Sequence, residues 1–423
     1  MKRYRNLAII AVVTTISIGT FFTKVAISES KLPKFYLKTE NGDSKYVKDL
    51  VINAGYGQDD GNRGLSITTD GSEYKNSNSI FSELNTDYYD LKKLNDLQKE
   101  ERNFMRGKNS SSSQFYIDKD FAWHVNVNGG RIDGSYADKN NHFKMNIDGL
   151  DLQNKDRYTF KLDIPEEEKY SYIFVDDVQL IGKELVVTTS QNKTNFDKNT
   201  NSGVYDEQNE HVVYRINVNQ KKIVDHTVIN KSTNAQKNHT HTEFQNIMQA
   251  SDPTVPSKYS IYKKEILKDT VQENGETTSD VISSELILFN LETGKEEALN
   301  LSNAQKEQIK QSIEILDIDE LYFLTNKDKG ITVLKYNLSS KKVDGQSVLT
   351  QMENLDNTSY KVLNGKLYAL TSNENPEDIN KKFIIADLTS GQIVYEGKIE
   401  VKNAKGKTNK LLKQLQVFDF SPE

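Results

Sequence analysis

Val333-Leu-Lys-Tyr-Asn337-Leu338-Ser-Ser-Lys341 is a short apolar run that ends in an Asn, one more apolar residue and a polar turn. The same order recurs as Val213-Tyr-Arg-Ile-Asn217-Val218-Asn-Gln-Lys221, Ile287-Leu-Phe-Asn290-Leu291-Glu-Thr-Gly-Lys295 and Ile384-Ile-Ala-Asp387-Leu388-Thr-Ser-Gly-Gln392. The apolar residue after Asn or Asp falls at 218, 291, 338 and 388, so the copies lie 73, 47 and 50 residues apart. Apolar runs of four to eight residues rich in β-branched and aromatic side chains favour strands. Asn and Asp, whose side chains bond their own backbone two residues on, mark the turns between them.

A second pattern, a turn followed by an apolar strand with Thr near its end, precedes three of these copies. It reads Leu180-Ile-Gly-Lys-Glu-Leu185-Val-Val-Thr-Thr189, Ile318-Asp-Glu-Leu321-Tyr-Phe-Leu-Thr325 and Leu363-Asn-Gly-Lys-Leu367-Tyr-Ala-Leu-Thr371. Together the two patterns describe antiparallel hairpins repeating at about 40–50 residues, the length of one propeller blade. The longer spacing leaves room for an insertion around 252–256. Fainter units occupy 47–71 and 121–149. The expected fold class is therefore all-β: a β-propeller of about six to seven four-stranded blades. The final strand, 411–420, is expected to pair near 34–37 and close the ring, leaving few exposed edges. None of the six prolines falls within a motif strand, as ladder hydrogen bonding requires.

Over residues 170–400 these hairpins resemble the generic repeats of bacterial β-propeller proteins. The resemblance implies a radial array of four-stranded blades and no particular activity.

Three segments depart from this pattern. Residues 1–6 are basic, with Lys2, Arg3 and Arg5, and residues 7–22 are apolar over 16 positions. A helix of that length spans about 24 Å, between a signal-peptide core and a full span of about 20 residues. A basic start ahead of an apolar run inserts with its N-terminus in the cytoplasm. Residues 1–30 are thus expected to form a cytoplasmic start and transmembrane signal anchor, with 31–423 an extracytoplasmic domain. The alternative is secretion after cleavage near Ala26-Ile27-Ser28. Residues 79–108 place Ile80, Phe81, Leu84, Tyr88, Leu91 and Leu94 at helical spacing, so an amphipathic helical insertion is expected there, packed on the rim or docking a partner. Ser302-Asn-Ala-Gln305 has the form of a capping box and opens a shorter helix.

The chain carries a formal charge of −6 and no cysteine. Disulfides, thiolate catalysis and a cysteine-linked lipid are excluded. Residues 1–30 hold four basic side chains against Glu29, which leaves −9 on the remainder. A domain this acidic is unsuited to nucleic acid, which requires clustered Lys and Arg.

Chemistry-bearing residues are few. His239 and His241, two apart, would share one side of a strand and are candidate metal ligands. Asp59 and Asp60, in Gln58-Asp-Asp-Gly-Asn62, offer the hard oxygens calcium prefers. Asp176, Asp177, Asp317 and Asp319 stand near motif strands and are candidate binding residues, or a carboxylate ring facing the axis. No nucleophile elbow, phosphate loop or His-Glu-x-x-His helix occurs, and no cofactor is expected. The sequence reads as a membrane-tethered, non-enzymatic binding or accessory protein engaging an envelope or membrane partner. The alternative is a glycan-active or other envelope-directed enzyme using acidic residues on the axis.

Overall fold

The computed structural model describes residues 32–57, 63–74, 92–108, 111–129, 142–194, 207–232, 239–247, 253–272, 277–327, 330–350, 352, 358–373, 379–404 and 406–421. The expected anchor over 1–30 and residues 79–91 of the expected helical insertion lie outside them. Among the described residues no helix is long and apolar enough to cross a membrane.

After β1 (Lys34–Gly42) the chain builds six antiparallel sheets in order. The first holds β2 (Val51–Tyr56), β3 (Arg63–Ile67) and β4 (Ser72–Tyr74). The second holds β5 (Phe115–Ile117), β6 (Phe121–Asn128), β7 (Lys144–Asp151) and β8 (Arg157–Asp163). The third holds β9 (Tyr170–Ile181), β10 (Glu184–Thr194), β11 (Glu207–Asn217) and β12 (Lys222–Lys231). The fourth holds β13 (Thr240–Asn246), β14 (Tyr259–Val271), β15 (Thr277–Asn290) and β16 (Lys295–Ala298). The fifth holds β17 (Ile313–Asp317), β18 (Glu320–Lys327), β19 (Gly330–Asn337) and β20 (Lys342–Leu349). The sixth holds β21 (Thr358–Leu363), β22 (Lys366–Asn373), β23 (Asn380–Asp387) and β24 (Ile393–Lys402). The last strand, β25 (Leu415–Ser421), returns to β2 and supplies the missing first position of the first sheet.

From the second sheet to the sixth, and from the sixth back to the first, each sheet presents apolar residues to the next. One buried cluster joins the second and third sheets through Trp123, Ile147, Val175 and Tyr214. Others join the third to the fourth, the fourth to the fifth and the fifth to the sixth. Phe35, Ile52, Phe383 and Phe420 belong to a cluster that joins the sixth sheet back to the first. First strands of neighbouring sheets approach each other, β5 to β9 and β17 to β21, which puts them at the axis. Six four-stranded blades, consecutive in sequence and closed by a returning strand, make a β-propeller.

Closure differs from the expectation in its pairing. β25 pairs with β2, from Val51↔Ser421 to Tyr56↔Leu415, rather than with residues 34–37. Those residues lie in β1, which adds a fifth strand to the sixth sheet alongside β24, from Lys34↔Lys402 to Gly42↔Tyr395. The chain thus closes twice, β25 completing the first sheet and β1 extending the sixth. Leu37 N also donates to Thr68 O at 2.9 Å, and Phe35 N to Ser72 Oγ at 3.0 Å. These bonds tie the fifth strand of the sixth sheet to the first.

The recurring Asn/Asp has a uniform role. It ends the third strand of its blade, and its carboxamide or carboxylate oxygen accepts backbone N–H groups of the turn. Asn337 Oδ1 accepts from Ser340 N (2.7 Å), Asn290 Oδ1 from Glu292 N and Thr293 N (both 2.9 Å), and Asp387 Oδ1 from Thr389 N (3.1 Å) and Ser390 N (2.9 Å). The apolar residue that follows turns inward: Leu291, Leu338 and Leu388 are all buried. Its N–H bonds a carbonyl at the head of the second strand, as in Leu338 N to Asp319 O (2.8 Å) and Leu388 N to Gly365 O (3.0 Å). Asp151 performs the same function in the second sheet, accepting from Gln153 N and Asn154 N at 2.8 Å.

The described part of the expected insertion forms two short helices, broken at Glu101. Helices Lys92–Glu100 and Arg102–Met105 bury Leu94, Leu97, Phe104 and Met105 against Phe115, Ile117, Ala122 and Leu150. They cover the face of the second sheet opposite the third. Lys108, itself buried, fastens their end to Asp148 at 2.7 Å. Ser302 caps the helix Asn303–Ile309 with the expected reciprocal bonds to Gln305.

Candidate functional site

Asp176 and Asp177 interrupt the apolar strand β9. In a regular strand, successive side chains point to opposite faces. Here Val175 pairs with Thr189 and Asp177 with Thr188, so Asp176 is an extra residue in a β-bulge. The bulge brings both carboxylates to the face that meets the fourth sheet. The bonding fits: Ser190 Oγ, on that face, donates to Asp176 Oδ2 at 2.6 Å, and Gln179 Nε2 donates to Asp177 Oδ1 and Oδ2, both at 3.1 Å.

The rest of the seam is polar too. Gln179 Oε1 accepts from Ser257 N at 2.9 Å, which draws the 253–258 loop over the pair. The same loop reaches the second sheet, where Ile117 N donates to Pro253 O at 2.8 Å. From β14, the fully buried Tyr262 faces the seam, and its hydroxyl accepts from Ser260 Oγ at 3.0 Å. The His211 ring lies 4.7 Å from that of Tyr262, and His211 Nδ1 meets Asn230 Oδ1 at 2.5 Å.

Burial governs the acid–base character of the cluster. Loss of solvent pushes Asp176 up to about 6, with the neighbouring Asp177 charge adding to the effect and the Ser190 bond opposing it. Asp177 is also pushed up to about 6, mainly by burial, against its bonds from Gln179 and the Val178 backbone. Burial lowers His211 and raises Tyr262, so both are held neutral.

The other candidates sit elsewhere. Asp317 closes β17 in the fifth sheet, where its Oδ2 accepts from Gly365 N at 3.1 Å and staples the β21–β22 turn of the sixth. Asp319 lies in the β17–β18 turn and accepts from Ser339 Oγ at 3.4 Å. In the blade register Asp317 corresponds to Ile181, one strand-end away from Asp177, since each precedes the same turn. The four acids are therefore placed as two separate pairs, one at a blade seam and one at a turn.

His239 occupies the turn before β13 with a φ of +51°, so it does not share the strand with His241. His241 is held between Asp269 Oδ2 (3.1 Å) and Glu243 Oε1 (3.2 Å). Asp269 also accepts from Ser279 Oγ at 2.7 Å, so this group knits β13 to the β14–β15 hairpin. Asp59 and Asp60 lie outside the described residues. Among the described residues no group of three or more His, Asp or Glu side chains is placed to hold a metal.

Sequence reading missed Gln179, Thr188, Ser190, His211 and Tyr262 as members of the seam. The available signal was local: two consecutive Asp between Val175 and Val178 break strand alternation, which a bulge resolves. Also missed were two grooves beside β1 and a third beside β24. The largest of these, 610 Å³, is lined by Leu32, Lys34, Tyr56, Lys402, Lys407 and Leu411 among others, with no acidic side chain among its described lining residues. A second, 550 Å³, has Lys38, Lys45 and Lys48 against Asp43. The third, 290 Å³, runs along Lys398, Glu400 and Leu412.

No protein-family model matches this chain, and no curated protein matches it. Among solved structures it is similar to an acylaminoacyl peptidase in complex with Z-Gly-Gly-Phe-chloromethyl ketone, at 8% identity and a TM-score of 0.32, over 86% of this chain and 48% of the peptidase. A polysaccharide lyase, an ulvan lyase, matches at 10% identity and a TM-score of 0.36, over 92% of this chain and 94% of the lyase. The β-propeller domain of the trilobed protease from Pyrococcus furiosus matches at 11% identity and a TM-score of 0.20, over 66% of this chain and 81% of that domain. The chain spans about half the length of the acylaminoacyl peptidases it resembles. Likenesses this distant carry no argument about residues or activity, and the propeller assignment rests on the six sheets.

Proposed function

We propose that this protein is a membrane-tethered, extracytoplasmic binding or accessory module. Residues 1–30 serve as its anchor, and the seam of the sixth and first blades is its working surface. The observation that carries the reading is the position of the grooves. Leu32, Pro33 and Lys34, the first described residues, themselves line the largest one. The described chain starts at that groove, so a tether attached to Leu32 would hold the surface toward the membrane. The domain as a whole is acidic, yet this groove gathers Lys34, Lys402 and Lys407. That contrast suits an acidic envelope or membrane partner, because complementary charge steers encounter and fixes orientation.

The rival reading, an envelope-directed enzyme, draws support from the weakened acidity of the buried Asp176 and Asp177 carboxyls. Glycoside chemistry needs two carboxylates facing each other across the scissile bond, about 5–9.5 Å apart. These two leave one strand toward one face, an arrangement better suited to holding a ligand than to flanking a bond.

Alkaline carbonate extraction combined with external protease on wall-stripped cells tests the tether. The full chain is expected to stay with the membrane and to lose residues 31–423 to protease. Release by carbonate, or protection from protease, would contradict the reading.

A further inference from the structure

We propose that the seam between the third and fourth blades is a calcium site, with Asp176 and Asp177 as its charged ligands and Thr188 Oγ1 as a neutral one. This site is independent of the partner surface along β1.

The first observation is the β-bulge. It costs regular pairing in the first strand of the blade and brings two adjacent carboxylates to one interior face. Asp176 is 8% exposed. Among the described residues no Lys or Arg side chain pairs with either acid; the bonds they accept come from Ser190, Gln179 and the Val178 backbone. Buried charges of like sign are ordinarily paired or bound to a metal.

The second observation is Thr188. It lies directly across from Asp177 in the β9–β10 register, so its side chain leaves the sheet on the carboxylate face. It is 1% exposed, and its hydroxyl has no hydrogen-bond partner among the described residues. An orphaned buried hydroxyl costs about 1–3 kcal/mol, and a cation between it and the acids supplies the missing partner.

The third observation is the oxygen-only chemistry. Carboxylates, the Ser190 and Thr188 hydroxyls and the Tyr262 hydroxyl converge on one seam, and His211, the nearby nitrogen donor, is turned to Asn230. Hard oxygens in an irregular set suit calcium, which accepts six to eight ligands in flexible geometry. Magnesium demands a near-ideal octahedron and keeps its waters.

The full chain, in detergent and freed of metal with a chelator, would be titrated with calcium chloride at pH 7.5 while its thermal midpoint is followed. Terbium luminescence sensitised by Tyr262 gives a direct reading of occupancy. Calcium is expected to raise the midpoint by several degrees. Asp176→Asn and Thr188→Val are each expected to weaken calcium binding at least tenfold, with unchanged far-ultraviolet dichroism showing that the blades persist. Asp317→Asn, at the separate turn, should bind as the parent does. The assignment is overturned if calcium leaves the midpoint unmoved, if magnesium acts equally well at the same concentration, or if the shift survives in Asp176→Asn.

Discussion

Replacing Phe420 with alanine is expected to destabilise the domain by about 3–5 kcal/mol, the range for truncating a buried aromatic side chain. Phe420 is fully buried in β25 and meets Phe383 of the sixth sheet edge-to-face, with ring centroids 5.0 Å apart. Lys361 of β21 reinforces the junction, its Nζ donating to Asp419 Oδ2 at 2.9 Å and Phe420 O at 2.7 Å. The residue thus belongs at once to the first sheet by hydrogen bonding and to the sixth by packing. Removing its ring loosens the closure rather than one local contact, so faster unfolding should accompany the lost stability. Phe418, two residues earlier and 57% exposed, is the control; its alanine variant should fall within about 0.5 kcal/mol of the parent. Urea denaturation of the two variants side by side checks this.

Asp176→Asn, in chelated buffer, is expected to be more stable than the parent at pH 7.5 and nearly equal to it near pH 4.5. The folded carboxyl is raised to about 6, whereas an unfolded Asp titrates near 3.9. Between those values the folded chain holds a proton that the unfolded chain releases, so this group's contribution to stability is present at low pH and lost as pH rises through about 6. Two pH units correspond to roughly 3 kcal/mol, shared with Asp177 because the two interact. Asparagine carries no charge to bury and keeps an oxygen for Ser190. The comparison must be a difference between the two proteins, because other groups bend the parent's own curve the opposite way. His124 is lowered to about 3 and His211 is lowered as well, both by burial. Their contribution is lost as pH falls below the unfolded histidine value. Denaturation midpoints from pH 4.5 to 7.5 for both proteins isolate the aspartate term. Equal stability across the range would contradict it.

Much of the architecture was legible because its signal is local. Asn217, Asn290, Asn337 and Asp387 each end a third strand, and the turn chemistry that fixes them needs only the next three residues. Their spacing gave the blade length, and six blades formed. The second sheet was harder to read, because its own copy is Asp151-Leu152, within a run already occupied by Asp148-Gly149. Gly149 serves a different purpose there. It lies across from Trp123, and a Cβ on it would come within 2.4 Å of that ring.

Closure was legible in kind and not in partner. The apolar character of 415–420 marks a strand, but pairing is a long-range choice between edges that local pattern does not separate. Both β1 and β2 offered one, and the sheet lacking a first strand took β25. The seam acids were legible as residues and not as a site. Asp176 and Asp177 stood out by position, yet only the bulge puts them on one face. Thr188, Ser190 and Tyr262 reach that face from strands whose pairing the sequence does not state. Asp317 and Asp319 shared composition with them but not register, since a turn claims both.

A disulfide trap tests most directly the closed ring, in which the last strand pairs into the first sheet and β1 into the sixth. The chain has no cysteine of its own, so paired substitutions report cleanly. Val51→Cys with Ser421→Cys joins directly opposed residues of β2 and β25, a separation that suits a disulfide. Tyr36→Cys with Ser421→Cys probes the pairing of the C-terminal strand with β1. On mild oxidation the first pair is predicted to form an intramolecular disulfide and the second to remain reduced. A bond in the second pair, or none in the first, would contradict the closed ring.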